Sequence, residues 1–211
     1  MILTISREYG AAGLAVAEGS AHTLGYELLT DDLPKTVAAR LGTSPEEVAS
    51  RANAEASLGE RILASLDAGT PETVAGSLAA PGGDFDESVR REIERTIRER
   101  AARGDLVILG RYASAVLGAR PDVLRVFLVA ARGWRTARLI EAFGWNADTA
   151  QAAIERIDAA RKKLAKDRYD LRWGDPHAYD LVADVSRLSV DGAVTLVATA
   201  VRALDAGRSQ A

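Results

Sequence analysis

The chain of 211 residues contains no cysteine and only two histidines. The absence of cysteine excludes disulfides and thiolate metal sites, and it fits a reducing cytosol. His22 and His177 lie far apart in the sequence, without paired acidic or histidine ligands nearby. We therefore expect no metal site built from protein side chains.

A strong net charge and long apolar runs are missing as well. The net charge is −3, so a nucleic-acid partner is not expected. No apolar run approaches the roughly 20 residues that span a bilayer, and no basic leader precedes the short apolar run at the N-terminus, as a signal peptide would require. We expect a cytoplasmic globular protein that binds neither nucleic acid nor membrane, and the sequence leaves its oligomeric state open.

Short apolar runs predict the strands. The four clearest are residues 2–5, 106–109, 123–129 and 181–183, and residues 26–29 form a weaker fifth. Their near-continuous apolar character is typical of strands that are covered on both faces. Helical patterns lie between them, at 13–24, from 32, from 44, and at 86–103, 134–143, 148–169 and 191–205. This alternation indicates an α/β fold with a mainly parallel sheet.

A turn of small residues follows the first strand, and it reads Gly10, Ala11, Ala12, Gly13. At such a strand-to-helix turn, backbone N–H groups and the helix dipole favour an anion. A full Walker loop adds a lysine and a Ser or Thr, but here Leu14 and an alanine follow. The spacing alone therefore fits both a phosphate site and a plain connection. Arg7 is a candidate for the missing charge, although a solvated surface arginine has the same pattern.

Basic residues recur where parallel strands end. Arg111 follows the third strand, and Arg135 and Arg138 follow the fourth, three residues apart on one helix face. In the long helix, Asp158 and Arg161 are also three apart, so the aspartate could hold that arginine in place. Each feature alone is typical of a solvated surface. Together they would gather cations around one turn, as phosphoryl transfer requires.

The order of motifs along the chain resembles the cytidylate kinase-like proteins of the P-loop nucleoside monophosphate kinase superfamily. The resemblance rests on ISREYGAAG, VILGRYA, VLRVFLVAARGWRTARLIEAFG and RIDAARKKLAKDRYDLRWGDPHAYDLVADVSRLSVDGAV. It implies a five-stranded parallel sheet flanked by helices, with a core of residues 1–29, 100–150 and 178–211. It further implies a helical monophosphate-binding region at 30–99 and a lid at 151–177.

The resemblance implies an ATP- and magnesium-dependent kinase that transfers the γ-phosphoryl group of ATP to CMP or a similar nucleoside monophosphate, a small-molecule nucleotide partner. Together with the arginine pattern it gives three groups of candidate residues. The ATP-binding group is Arg7, Gly10, Ala11, Ala12, Gly13 and Leu14. The acceptor-binding group is Asp31, Arg111 and Arg138. The catalytic group is Arg135, Asp158, Arg161 and Arg168, and Arg135 would also hold the acceptor phosphate.

The turn departs from the family pattern, which reads close to SREYGSGGREIA. Ala11, Ala12 and Leu14 stand where the pattern has serine, glycine and a basic residue. Two alternatives therefore stay open, namely a catalytically silent nucleotide-binding or regulatory protein with the kinase fold, and a kinase for another small acceptor. Trp134, Trp145 and Trp173 are expected to pack in the core or to anchor the lid rather than to stack on a base. Asp184 fits either a helix cap or a nucleotide contact.

Overall fold

The computed structural model describes residues 1–29, 32–52 and 84–208. The candidate Asp31 and the whole of the Gly/Pro/Ala-rich segment at 69–83 lie outside the described residues. Two compact units divide the chain: Met1–Thr30 together with Ile97–Ala211, and Asp31–Thr96. Among the described helices, none is long and apolar enough to cross a membrane.

Five parallel strands form one sheet in the order β2-β3-β1-β4-β5. The strands are β1 (Ile2–Arg7), β2 (Glu27–Leu29), β3 (Leu106–Leu109), β4 (Val123–Val129) and β5 (Leu181–Asp184). The central strand is β1, where Ile5 lies opposite Leu109 on one side and Val126 on the other. The predicted strands and the five-stranded parallel sheet are confirmed.

Helices follow the strands, and within the described residues all of them except α5 were predicted from the sequence patterns. They are α1 (Gly13–Leu24), α2 (Asp32–Leu41), α3 (Pro45–Ala52), α4 (Asp84–Ala101), α5 (Ala113–Leu117), α6 (Arg132–Phe143), α7 (Ala147–Tyr169) and α8 (Val185–Arg208). Helix α1 ends at Gly25, whose φ of +70° is the left-handed conformation that a helix C-terminus favours. At the start of α7, Asn146 caps the helix by accepting the Thr149 N–H at 2.8 Å.

The last helix begins earlier than the sequence predicts. A start at residue 191 was expected, but α8 begins at Val185 and is interrupted at Ser189, with φ 64° and ψ 170°. The Oγ of Ser189 accepts the Gly192 N–H at 3.2 Å and so caps the second part of the helix. Asp184 caps the first part, because its Oδ1 accepts the Ser186 N–H at 3.0 Å. The capping interpretation of Asp184 is therefore confirmed.

The main hydrophobic core lies between the sheet and helices α1 and α8. Residues two apart on a strand share one face, and the shared face of β1 and β4 carries Leu3, Ile5, Val126 and Leu128. The helices contribute Val16, Ala17, Ala193, Val197 and Val201 to the same cluster. Arg7 continues the face of Ile5 by the same two-residue spacing. Its side chain therefore emerges beyond the core, on the side of the sheet that α1 covers.

Aromatic contacts fix the turn after α7. The ring of Phe127 in β4 meets Trp173 edge-on at 5.1 Å and Tyr179 at 4.8 Å between centroids. Phe127 is 2% exposed. The edge-to-face pair of Phe127 with Trp173 adds to the gain from burial. Trp173 therefore anchors the predicted lid segment to the sheet, as the sequence suggested.

An ion pair joins β4 to the start of β5. Arg125 donates to both carboxylate oxygens of Asp180, at 3.1 and 2.7 Å, and its backbone N–H donates to Asp180 Oδ2 at 2.8 Å. Burial acts to raise the pKa of the Asp180 carboxyl, but the hydrogen bonds and charge of Arg125 together lower it. The charged form is therefore favoured in the folded protein.

We predict that Asp180 contributes stability that depends on pH. A lowered pKa in the folded state means that the contribution is present above the ordinary aspartate value of about 3.9 and is lost as the pH falls through the folded-state value. Asp180→Asn should therefore lower the free energy of unfolding more at pH 7 than at pH 3, measured by urea denaturation. Asp167→Asn, which removes an exposed partner of Lys163, is the control and should have a smaller effect at pH 7. Equal effects of Asp180→Asn at both pH values would contradict the prediction.

Candidate functional site

The turn of small residues lies at the carboxyl end of the central strand, and it has the conformation of a strand-to-helix loop. Gly10 has φ +82°, and Ala12 has φ 53° and ψ 29°. Ala12 is the N-cap of α1 and makes no side-chain cap, and the first turn of α1 has no acidic residue. The N-terminal N–H groups of a helix have no acceptor within the helix. The turn therefore presents uncapped backbone donors with little side-chain bulk around them.

Arg7 crosses this turn between two glycines. A Cβ at Gly13 would lie 2.8 Å from Cγ and 3.0 Å from Cδ of Arg7, so the aliphatic stem packs on the first residue of α1. A Cβ at Gly110 would overlap Nη1 of the same side chain. Gly110 directly follows β3, and its N–H donates to the Ile5 carbonyl at 2.8 Å. The guanidinium of Arg7 therefore lies where β1 and β3 end side by side.

Arg135 is buried beside the same turn. It is 7% exposed, and a Cβ at Gly10 would lie 3.2 Å from its own Cβ. Its Nη1 donates to Asp158 Oδ2 at 2.6 Å and to the Tyr9 carbonyl at 3.2 Å, while its Nε donates to the Ala130 carbonyl at 3.1 Å. A buried guanidinium requires such a set of acceptors, because desolvation of an unpaired charge is costly.

Asp158 completes this arrangement from α7. Its Oδ1 accepts the Tyr9 N–H at 2.8 Å, and its Oδ2 binds Arg135. The sequence suggested that Asp158 holds Arg161, its neighbour on the same helix. The structure instead gives it a partner on α6 and a backbone partner after β1. The aspartate thereby joins two helices to the segment that leads into the turn.

Arg161 is the second buried arginine, at 5% exposure. Its Nη1 donates to the Arg7 carbonyl at 3.0 Å, and its Cζ lies 5.8 Å from the centre of the Tyr9 ring. Burial raises the pKa of the Tyr9 hydroxyl, and the charge of Arg161 lowers it by less. The phenol therefore stays neutral beneath the guanidinium, where a cation and an aromatic face attract each other.

Sequence reasoning missed Glu8 and Tyr9. Glu8 Oε2 accepts the Ala130 N–H at 3.0 Å and lies 3.5 Å from Arg135 Nε. The backbone of Tyr9 binds both Asp158 and Arg135. Their position within SREYG, next to the turn, was the available signal. Their partners are more than 120 residues away along the chain, so no local pattern could have identified them.

The other candidate residues have varied surroundings. Ala11 is 1% exposed and Leu14 is 52% exposed. Arg111 is half-buried and has φ 57°, between Gly110 and Tyr112, which also have positive φ. Arg138 is exposed and lies over the Trp134 ring at 4.9 Å, whereas Arg135 on the same helix is buried. Arg168 is half-buried near the end of α7. Their roles stay predictions.

Magnesium, which kinases generally use with ATP, prefers oxygen ligands. Across residues 1–29, 32–52 and 84–208, no group of three or more His, Cys, Asp or Glu side chains is placed to hold a metal ion. The side chains of Ala11, Ala12 and Leu14 carry no oxygen. The turn therefore does not fit a magnesium site of its own.

The sheet order, the glycine turn after the central strand and the arginines around it define a kinase-like α/β protein of the P-loop class. The chain belongs to the cytidylate kinase-like family, whose model matches residues 2–187. A cytidylate kinase from Natronomonas pharaonis is 25% identical over 205 residues, which cover 96% of this chain and 90% of that protein. Another, from Methanococcus maripaludis strain C5, is 32% identical over 126 residues, or 58% of this chain and 70% of that protein.

Solved structures confirm the fold. An uncharacterized protein from Eubacterium ventriosum superposes with a TM-score of 0.69 and 20% identity, over 96% of this chain and 98% of that one. Shikimate kinase from Bacteroides thetaiotaomicron has a TM-score of 0.52 and 11% identity, with the same coverage of each chain. Family and fold together support a nucleotide kinase-like phosphotransferase.

We predict that the buried Arg135–Asp158 pair is required for stability. Asp158→Ala leaves a buried guanidinium without its carboxylate, which should cost about 3–5 kcal/mol of unfolding free energy. Glu155→Ala is a matched control, because Glu155 pairs with Arg132 between the same two helices but both side chains are more than half exposed. That exposed pair should contribute less than about 1 kcal/mol. Equal losses in urea denaturation would contradict the prediction.

Proposed function

We propose that this protein transfers the γ-phosphoryl group of ATP to the phosphate of CMP or a similar nucleoside monophosphate. The observation that carries the proposal is the placement of Arg7 and Arg111 at one edge of the sheet, beside a glycine turn in a chain of the cytidylate kinase-like family. Arg7 is the last residue of β1, and Arg111 follows the end of β3. These two strands are adjacent in the sheet. Phosphoryl transfer depends chiefly on positioning and on neutralising charge.

In this proposal the donor nucleotide binds along residues 10–14. The left-handed Gly10 and Ala12 turn the backbone, and the uncapped start of α1 offers N–H groups to the β- and γ-phosphates. The small side chains leave room for phosphate oxygens to approach. Leu14 is the residue of this stretch whose side chain is mostly exposed, so it would lie at the rim of the site.

The acceptor phosphate binds Arg111, whose planar guanidinium can form two parallel hydrogen bonds to phosphate oxygens. Arg138 and Asp31 are proposed to contact the acceptor as well. The region 30–99 would form the monophosphate site, residues 151–177 the lid, and the remaining residues the core. Arg168 would approach from the lid.

The reaction needs no strong general base. An oxygen of the acceptor phosphate attacks the γ-phosphorus, and the bond from that phosphorus to the bridging oxygen breaks. The electron pair stays on that oxygen, so the products are ADP and the nucleoside diphosphate. A phosphate acceptor already carries negative charge and has no proton to lose. Arg135, Asp158 and Arg161 act in this scheme by holding the backbone of residues 7–9 in place.

We predict that the protein turns over ATP and CMP in the presence of magnesium in a coupled assay. We also predict that Arg111 binds the acceptor phosphate. Arg111→Ala should raise the KM for the acceptor about 10- to 100-fold, the effect of losing charged hydrogen bonds worth about 1.5–3 kcal/mol. The KM for ATP should change little. Arg103→Ala is the matched control, because Arg103 is exposed and precedes β3, at the opposite end of the strand from Arg111.

The same assay should include a panel of other monophosphates and small hydroxyl acceptors. Faster turnover of another acceptor would replace CMP as the substrate. Absence of turnover with every acceptor would refute the proposed transfer, and ATP binding in calorimetry would then favour a catalytically silent nucleotide-binding protein.

A silent nucleotide-binding protein is the second candidate, and one observation favours it. The turn supplies neither a charge nor a hydroxyl, because the side chains of Ala11 and Leu14 are apolar. Ala11 is buried and Leu14 is exposed. Ala12 also occupies the left-handed region, which costs a non-glycine residue about 1–2 kcal/mol. A selected phosphate loop would more commonly have glycine there.

If this second candidate is correct, the wild-type protein binds nucleotide without transfer, and restoring the turn creates activity. The variant Ala12→Gly with Leu14→Arg suits the local geometry, because φ is positive at the first position and the second is exposed. Turnover should then appear in the coupled assay. Leu196→Arg, at another exposed leucine, is the control for added charge. Turnover by the wild-type protein would rule out the silent reading.

A further inference from the structure

We propose that Arg7 contacts the phosphoryl group while it is being transferred, and is therefore a catalytic residue of this kinase. This inference rests on the proposed function and specifies what one side chain does in it. The P-loop lysine normally supplies a positive charge to the outer phosphates, and the turn of this protein has none. Arg7 supplies that charge from the strand instead of from the loop.

The position of the side chain leads to this role. Its stem packs on Gly13, where the donor phosphates would lie, and its guanidinium reaches Gly110, the residue before the acceptor arginine Arg111. The group in transit lies between donor and acceptor in any in-line transfer. The guanidinium of Arg7 lies between the same two sites.

The backbone under Arg7 is held rigidly. Arg161 binds the Arg7 carbonyl, the Glu8 N–H donates to the Leu128 carbonyl at 3.0 Å, and Asp158 and Arg135 bind the N–H and carbonyl of Tyr9. Every residue from Arg7 to Tyr9 is thus fixed by a distant part of the chain. A charge fixed before the reaction stabilises developing charge without reorganisation, which is the main source of electrostatic catalysis.

Two glycines are explained by this side chain. A Cβ at either position would lie too close to Arg7, whereas a Cβ at Gly104 or Gly133 would have nothing within 4 Å. The missing Cβ atoms of Gly13 and Gly110 therefore leave space for the Arg7 side chain as well as for a phosphate. A side chain that merely pointed into solvent would not require two backbone positions to lack a Cβ.

The role predicts a particular kinetic effect. In phosphoryl transfer, negative charge on the equatorial oxygens is stabilised by arginines worth about 10³–10⁵-fold in kcat. Because the contact is made to the group in transit, its loss should lower kcat while changing the KM values little. An arginine that only bound ATP in the ground state would instead raise the KM for ATP.

The first experiment uses Arg7→Met, which keeps most of the stem that packs on Gly13 and removes the guanidinium. We expect kcat to fall about 10³-fold or more, with KM for ATP and for CMP changed less than about fivefold. Arg7→Lys should recover part of kcat, because it restores the charge but not the planar fork. Thermal unfolding of both variants checks that they remain folded at the assay temperature.

The second experiment moves the guanidinium without removing it. Gly110→Ala places a Cβ where Nη1 of Arg7 lies, so the side chain must shift, and kcat should fall at least tenfold. Gly104→Ala is the matched control, because Gly104 has a similar φ of +81° against +72° but an open Cβ position. In the Arg7→Met background, Gly110→Ala should have little further effect, since both changes act through one group.

The outcomes separate the two levels of the proposal. The role of Arg7 would be overturned if the Arg7→Met variant kept the kcat of the wild-type protein, or if its only change were a higher KM for ATP. Either result would leave the kinase function standing. Additive effects of Arg7→Met and Gly110→Ala would also overturn it. No turnover by the wild-type protein with any acceptor would overturn the proposed function and this inference with it.

Discussion

The buried ion pair between Arg135 and Asp158 is the interaction on which the site depends. Two charges removed from water are stable only when nearly all their hydrogen-bonding groups have partners. That requirement brings the Tyr9 backbone and the Ala130 carbonyl to one place. Helices α6 and α7 are thereby tied to the end of the central strand. The geometry of the turn therefore depends on neutralising the buried charge of Arg135, as well as on the conformational propensities of the small residues in the turn.

Arginines and glycines are matched around this pair. Gly10 faces Arg135, and Gly13 and Gly110 face Arg7. A glycine-bounded turn after a strand is usually interpreted as room for a phosphate. Here the same glycines also make room for the backbone and Cβ of Arg135 and for the side chain of Arg7, so their presence alone does not distinguish an active kinase from a retained fold. The distinction depends on whether the Arg7 charge substitutes for the side chains that the turn lacks.

The family relationship and the altered turn are compatible in physical terms. Phosphoryl transfer requires positive charge at fixed positions, and it does not require that the charge come from the loop itself. Moving the charge to the last residue of β1 attaches it to the central strand of the sheet. The turn then needs only a backbone of the right shape, which alanine at positions 11 and 12 can supply despite the strain at Ala12.

The sequence by itself determined the strands, most helix boundaries, the parallel α/β class and the presence of basic residues at the strand ends. These follow from apolar periodicity and capping, which act over a few residues, and from the rule that parallel strands end at one edge. Only the tertiary structure decided that Arg135 is buried while Arg138, three residues on, is exposed. It likewise decided that Asp158 binds Arg135 across two helices, and that two glycines accommodate Arg7. Those choices depend on which elements pack together, and no local pattern records the partner that a side chain finds on another element.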